Sequence, residues 1–185
     1  MWEKLHKSIK MLPPYGKAFA AVKDADLDKA EKAIGSKLPE SYREYAKLFG
    51  YGEHGKYFRI YVPLGSKYPN ADLTGHTLSY RKDCAELADK KKDKEFYLRM
   101  IPFADTSGGD IFAFDPAEAK GKDAPDYAVY VIIHGRDKIE KLSPDFKTFF
   151  TDVVYGTGLE KVLKNKEKLV VLKEFQPFGD KVRGL

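Results

Sequence analysis

IPFADTSGGDIFAFDP, residues 101–116, decides how the rest of the chain is read. Ile101 and Phe103 begin an apolar run, Gly108-Gly109 supply a backbone able to take positive φ, and Ile111, Phe112 and Phe114 resume the run. The pattern is strand, tight glycine turn, strand. Aromatic and branched side chains packed this densely belong at the centre of a sheet. Asp110 and Asp115 stand at the two ends of the second strand. Residues 127–133, YAVYVII, are its natural partner, and residues 138–142 form a short further strand or its edge.

On either side, other periodicities take over. Residues 24–34 place Leu27, Ala30, Ala33 and Ile34 on one helical stripe, with Asp24 or Asp26 as cap and Gly35 as stop. Leu38-Pro39 opens a second helix to residue 49, with Tyr42, Tyr45, Ala46 and Phe49 inward and Gly50 and Gly52 ending it. Residues 57–63 alternate as a strand, Phe58, Ile60 and Val62 on one face, Tyr57, Arg59 and Tyr61 on the other. Residues 65–76 read as a turn-rich loop and 78–92 as a helix, with Ala85, Leu87 and Ala88 among its apolar positions. Ser143-Pro144 opens a closing helix to residue 155, with Phe146, Phe149, Phe150 and Val153 inward. At the N-terminus, Trp2, Leu5, Ile9 and Leu12 recur at helical spacing before Pro13-Pro14. Near the C-terminus a basic helix is expected over residues 159–168, then an apolar segment, 169–172. The expected partition is an N-terminal segment, 1–23, a domain, 24–155, and a helical, basic extension, 156–185.

Composition narrows the function classes. A chain of 185 residues with 43% hydrophobic content buries a substantial core. No apolar run approaches the roughly 20 residues that cross a bilayer. Residues 1–15 carry Lys4, Lys7 and Lys10 but lack the apolar centre of a secretion signal. The single cysteine, Cys84, excludes an internal disulfide framework and fits a reducing cytoplasm. Net charge is +5, yet acids interrupt the basic runs, as in KKKDKE at 90–95. That interleaving favours a solvated face over a nucleic-acid stripe.

Searching for chemistry gives mostly exclusions. The four histidines, His6, His54, His76 and His134, have no paired short spacing, and DTSGGD lacks the alternating acids and terminal glutamate of a calcium loop. Gly108-Gly109 is followed by neither Lys-Ser/Thr nor a helix, so it is no phosphate cradle. Ser107 lacks a nucleophile elbow and Cys84 lies mid-helix among ordinary helix formers. Asp105, Asp110 and Asp115 cluster around one hairpin, where they serve either as acid and base or as turn residues accepting backbone N–H groups. The turn reading is adopted: no catalytic residue, no metal and no cofactor is expected. Tyr57, Tyr61 and Tyr130 beside Lys or Arg suit base stacking and protein contact equally well.

Taken in order, the motifs resemble one known group. Gly-x-x-Leu-Pro-x-x-Tyr at 35–42, Phe-Gly-x-Gly at 49–52, Ile-Pro-Phe-Ala with Gly-Gly-Asp and Phe-x-Phe-Asp at 101–115, and Ser-Pro-Asp-Phe-x-x-Phe at 143–149 are similar to the SUKH superfamily. That superfamily includes bacterial immunity proteins and the fungal Smi/Knr cell-wall regulators. The resemblance implies an α+β domain with a central, mostly antiparallel sheet flanked by helices, and no catalysis. It gives fold-building roles to Leu38, Pro39, Gly108, Gly109, Asp110 and Asp115. It implies a cognate protein toxin, often a nuclease, as partner, neutralised in the cytoplasm with neither membrane nor nucleic acid involved. The alternatives are a Smi/Knr-type scaffold binding several host proteins, and a hydrolase using the hairpin carboxylates. Contact residues do not transfer by motif. The Tyr, Arg and charge beside irregular backbone single out Arg59, Tyr61, Lys67, Tyr68, His76 and Asp105.

Overall fold

The computed structural model describes residues 2–65, 67–87, 94–119, 126–135, 139–158 and 171–181. Eight strands form one sheet: β1 (Lys10–Met11), β2 (Gly52–His54), β3 (Phe58–Ile60), β4 (Ile101–Thr106), β5 (Ile111–Phe114), β6 (Val129–Ile132), β7 (Ile139–Ser143) and β8 (Glu174–Pro177). Their spatial order is β1-β8-β2-β3-β4-β5-β6-β7, antiparallel throughout except for the parallel β1–β8 pair. The helices are α1 (Trp2–Ser8), α2 (Asp24–Ile34), α3 (Glu40–Phe49), α4 (Leu73–Leu87), α5 (Lys94–Arg99) and α6 (Phe146–Thr148), the last continuing as a π-helical turn, Phe149–Val154. This is the α+β arrangement that the motifs imply.

The central hairpin, β4–β5, forms where the glycine pair predicts it, but the two glycines differ. Gly109 takes φ of 86°, and a Cβ there would meet the His134 ring at 3.1 Å. Gly108 does not take positive φ and has ordinary room for a Cβ. Asp110 secures the turn: its carboxylate accepts the His134 N–H at 3.0 Å and the Thr106 hydroxyl at 3.3 Å. At the strand's other end Asp115, 1% exposed, accepts a two-point bond from Arg99 at 2.7 and 2.8 Å and the Ala117 N–H at 3.0 Å. Burial alone would raise the Asp115 pKa; the Arg99 and Ala117 bonds outweigh it and hold the carboxyl below its ordinary value.

The α2–α3 link explains the Gly-x-x-Leu-Pro motif. Gly35 closes α2 at φ of 77°, Leu38 is buried, and Pro39, φ −56°, is the residue that precedes α3. Glu31 reaches across the link and accepts the Leu38 N–H at 3.0 Å, Arg43 at 2.8 Å and Lys37 at 2.9 Å. A buried carboxylate is tolerated here because donors surround it. The cap of α2 is Lys23 rather than Asp24 or Asp26; Asp26 reaches back to accept the Lys23 N–H at 2.9 Å.

One face of the sheet is an aromatic core. Phe58, Phe103, Phe112 and Phe114 from the strands meet Tyr42, Tyr45 and Phe49 of α3 and Phe146, Phe149 and Phe150 of the last helix. Trp2 of α1 closes this core against Tyr45 and Phe150. Each fully buried phenylalanine stabilises the fold by about 1.5–3 kcal/mol.

Other expectations need correction. The helical spacing at the N-terminus ends at Ser8, and Lys10 and Met11 turn to strand beside β8. The loop of residues 65–76 is shorter than its composition suggests, because Asp72 starts α4 early by accepting the Gly75 N–H at 3.0 Å. Ala85 is exposed on α4 rather than packed. Asp145, not Ser143, caps the final helix, accepting the Thr148 N–H at 2.6 Å. β2, α5 and β8 carry no signal that the sequence reading recognised. The basic helix placed at 159–168 lies outside the described residues.

Candidate functional site

The second face of the sheet is different in kind. Strand pairing sets Gln176, Glu53, Arg59, Asp105, Ile111, Ile132 and Ile139 side by side across seven strands. Directly opposed residues project to the same face, so polar residues occupy one half of this row and isoleucines the other. A register shift between Pro102 and Ala104 makes this possible. In an unbroken strand Asp105 would share the face of Ile101 and Phe103, both fully buried. The bulge spends one residue, keeps Phe103 in the core and turns Asp105 outward beside Arg59.

Asp105 is the hub. It accepts Arg59 Nε at 2.9 Å, Arg59 Nη2 at 2.8 Å and the Tyr61 hydroxyl at 2.7 Å. Arg59 also lies 5.6 Å over the Tyr61 ring. Tyr61 is stacked between Tyr51, 5.8 Å away, and His76, 4.1 Å away at 15°. The Arg59 side chain is 40% exposed, Asp105 only 15%, so the cation is presented while its anchor is shielded. Bidentate pairing of this kind fixes an arginine in one orientation.

The electrostatics follow from burial. Burial opposes the Arg59 charge, but the Asp105 bond and charge overcome it and raise its pKa. Burial and then Asp105 push the Tyr61 hydroxyl up, and burial takes Tyr51 to about 12. Glu53 is raised by burial and by Asp105, against the pull of Arg59. Burial lowers His76 below its ordinary value, with Asp105 resisting, so the ring is neutral at pH 7. Its Nε2 is buried and has no hydrogen-bond partner among the described residues.

The sequence-derived candidates therefore divide. Arg59, Tyr61, His76 and Asp105 form one cluster; His76 reaches it from α4, not from a loop. Lys67 and Tyr68 lie elsewhere, Lys67 over the Tyr68 ring at 5.4 Å and Tyr68 against Phe19 at 4.9 Å. Glu53 and Gln176 belong to the row and Tyr51 stacks on Tyr61; the sequence reading does not single them out, since only the register of β8, β2 and β3 brings Glu53 and Gln176 beside Arg59. Alternation of Tyr51 and Glu53 was the available signal. Of the hairpin acids, Asp105 is held by Arg59 and Tyr61, Asp110 by Thr106 and a backbone N–H, and Asp115 by Arg99. Among the described residues no group of three or more His, Cys, Asp or Glu side chains is placed to hold a metal ion. Among them, too, no helix is long and apolar enough to cross a membrane.

No curated protein matches the chain. A family model does, over residues 21–152, from just before α2 into the π-helical turn, and thus across the α2–α3 link, the bulged hairpin and most of the aromatic core. By that match the chain belongs to the SMI1 / KNR4 family (SUKH-1).

Proposed function

We propose that this protein is an immunity-type binder that neutralises a cognate protein toxin in the cytoplasm, using the sheet face of Glu53, Arg59, Tyr61 and Asp105 as its contact surface. The observation that carries the reading is the two-point Arg59–Asp105 bond, reinforced by Tyr61, on a half-open face. Arginine and tyrosine contribute disproportionately to interfaces when held in place. An arginine already fixed in one orientation loses little side-chain entropy on binding. The face offers fixed recognition groups around carboxylates already engaged in pairing, which supports binding over turnover.

The test is capture from a native lysate with the tagged full chain, followed by sizing and mass spectrometry. A single stoichiometric partner whose isolated domain kills cells, silenced by this protein, is the expected result. Arg59→Glu should weaken that complex at least about 100-fold, about 2.7 kcal/mol, with an unchanged circular dichroism spectrum. Many substoichiometric host partners would replace this reading with the scaffold alternative. Catalytic turnover abolished by Asp105→Asn or Asp110→Asn in a folded protein would replace it with the hydrolase.

A further inference from the structure

β8 is tied to the sheet by main-chain bonds on both sides and by one chain of side-chain bonds. The Lys10 N–H donates to the Lys173 carbonyl and the Leu12 N–H to the Phe175 carbonyl, each at 2.9 Å. On the β2 side, the Gly55 N–H donates to Glu174 and the Phe178 N–H to Tyr51, also at 2.9 Å. The side-chain link runs through His54, which pairs directly with Phe175 across the ladder. Its Nε2 meets the Tyr45 hydroxyl at 2.8 Å and its Nδ1 the Tyr155 hydroxyl at 2.7 Å. Tyr155 then reaches the Glu174 carbonyl at 3.3 Å.

A carbonyl oxygen only accepts, so the β8 end sets the direction of every bond in this chain. Tyr155 gives its hydrogen to Glu174 and accepts from His54 Nδ1–H. Nε2 is then the acceptor for the Tyr45 O–H. In this arrangement each donor has an acceptor. Hydrogen on Nε2 instead would turn one donor on another, and Tyr45 otherwise packs among the rings of Trp2, Phe49, Phe146 and Phe150.

A proton added to the ring creates the same conflict, because an imidazolium donates from both nitrogens. The titratable groups facing His54 are Tyr45 from α3 and Tyr155 after the π-helical turn. Glu174 of β8 acts on Tyr155, and His6 of α1 lies behind the Phe49 ring. None of these charges offsets the burial that holds the His54 pKa down. Detaching β8 resolves the conflict: it removes the Phe175 ring, 4.5 Å from the imidazole, and releases Tyr155 from Glu174. β8 is also the weaker part of the sheet. It contributes one fully buried side chain, Phe175, whereas β4 and β5 contribute Ile101, Phe103, Ala104, Phe112, Ala113 and Phe114.

We propose that β8 is a proton-released latch: the Nδ1–H form of His54 holds it shut, and uptake of one proton at Nε2 frees Glu174–Pro177 from β2 and β1 while the central hairpin stays paired. The latch is independent of what the Arg59 face binds.

The test is NMR on the ¹⁵N-labelled full chain. At pH 7 the imidazole nitrogens of His54 should show hydrogen on Nδ1; hydrogen on Nε2 would overturn the proposal. Amide exchange, corrected for intrinsic rates, should show Lys10, Leu12, Gly55 and Phe178 opening more readily than Tyr61 and Thr106 of the central strands. Between pH 6 and 5 the protection of those four amides should fall about 10-fold, one proton per opening. In His54→Gln that fall should vanish. Tyr155→Phe, which keeps the ring but removes the hydroxyl between His54 and Glu174, should lower the same protection about 10-fold at pH 7. Opening only together with Tyr61 and Thr106, protection that does not change from pH 6 to 5, or a fall that persists in His54→Gln would each overturn the latch.

Discussion

His54 and His76 each pack against tyrosine rings, on opposite faces of the same sheet. His54, fully buried on β2, has both nitrogens engaged: Nε2 with the Tyr45 hydroxyl at 2.8 Å and Nδ1 with the Tyr155 hydroxyl at 2.7 Å. Tyr155 in turn donates to the Glu174 carbonyl at 3.3 Å, so the ring links α3, β2, the last helix and β8. Burial drives its pKa to about 3. His76 stacks on Tyr61 at 4.1 Å, closer than His54 lies to either of its tyrosines, yet its Nε2 finds no partner among the described residues, and the ion pair beside it is partly exposed. Similar residues thus do two jobs: a closed hydrogen-bond circuit makes framework, and an incomplete one beside a presented arginine makes a recognition surface.

The contrast is breakable at several points. The largest effect belongs to the closed side. Phe150→Ala, which removes a ring packed on His54, Tyr45 and Trp2, should cost about 3–5 kcal/mol in urea unfolding. A comparable loss from Tyr61→Phe would erase the distinction between the faces.

Acid should act next, and in one direction. Folded His54 stays neutral down to about pH 3, while in the unfolded chain it protonates near its ordinary value of 6.5. The unfolded state therefore binds the additional proton across that window, and stability falls as pH drops from 6.5 towards 3. The slope should be about 1.4 kcal/mol per pH unit between pH 6 and 5, where carboxylates contribute little. In His54→Gln the stability-versus-pH curve should flatten there; His76→Gln should flatten it far less. Equal slopes in the wild type and His54→Gln would remove the buried imidazole as the cause.

The hairpin joining the two faces gives a smaller test. Gly109→Ala should cost about 1–2 kcal/mol, because an alanine resists φ of 86° and its Cβ presses on His134. Gly108→Ala should stay within about 0.5 kcal/mol. On the recognition face, Asp105→Asn should cost only about 1 kcal/mol of stability, since Arg59 is 40% exposed and water screens the pair. The same change should nonetheless weaken partner binding at least about 10-fold, as seen by titration calorimetry. A large stability loss with intact binding would move Asp105 to the framework.

Legibility in the sequence follows the same division. The central hairpin, α2, α3 and the inward aromatics of the last helix stand out because local periodicity and burial agree. β1 and β8 are two and four residues long, and β8 ends in a proline; neighbours, not propensity, make them strands. β2, Gly-Glu-His, has no strand former, and Gly52 sits where a Cβ would strike the Phe175 ring at 2.3 Å. The start of α4 was legible in Asp72, whose capping role the surrounding glycine, proline and asparagine obscured. Half of the candidate face was readable from alternation along residues 57–61. The rest, Glu53 and Gln176, depends on register, and Asp105 faces outward only because of a bulge that no side-chain pattern announces.

The position of β8 has a consequence for how the chain comes off the ribosome. Its neighbours, β1 and β2, are made early, but the strand that lies between them is made more than a hundred residues after β2. Until Glu174–Pro177 emerges, the outer edge of β2 has no partner strand and the Tyr155 hydroxyl has no Glu174 carbonyl to receive its proton. An open edge of this kind invites pairing with other chains. A nascent chain halted just before Glu174 should therefore depend on chaperones for solubility, and release of a few more residues should end that dependence in one step.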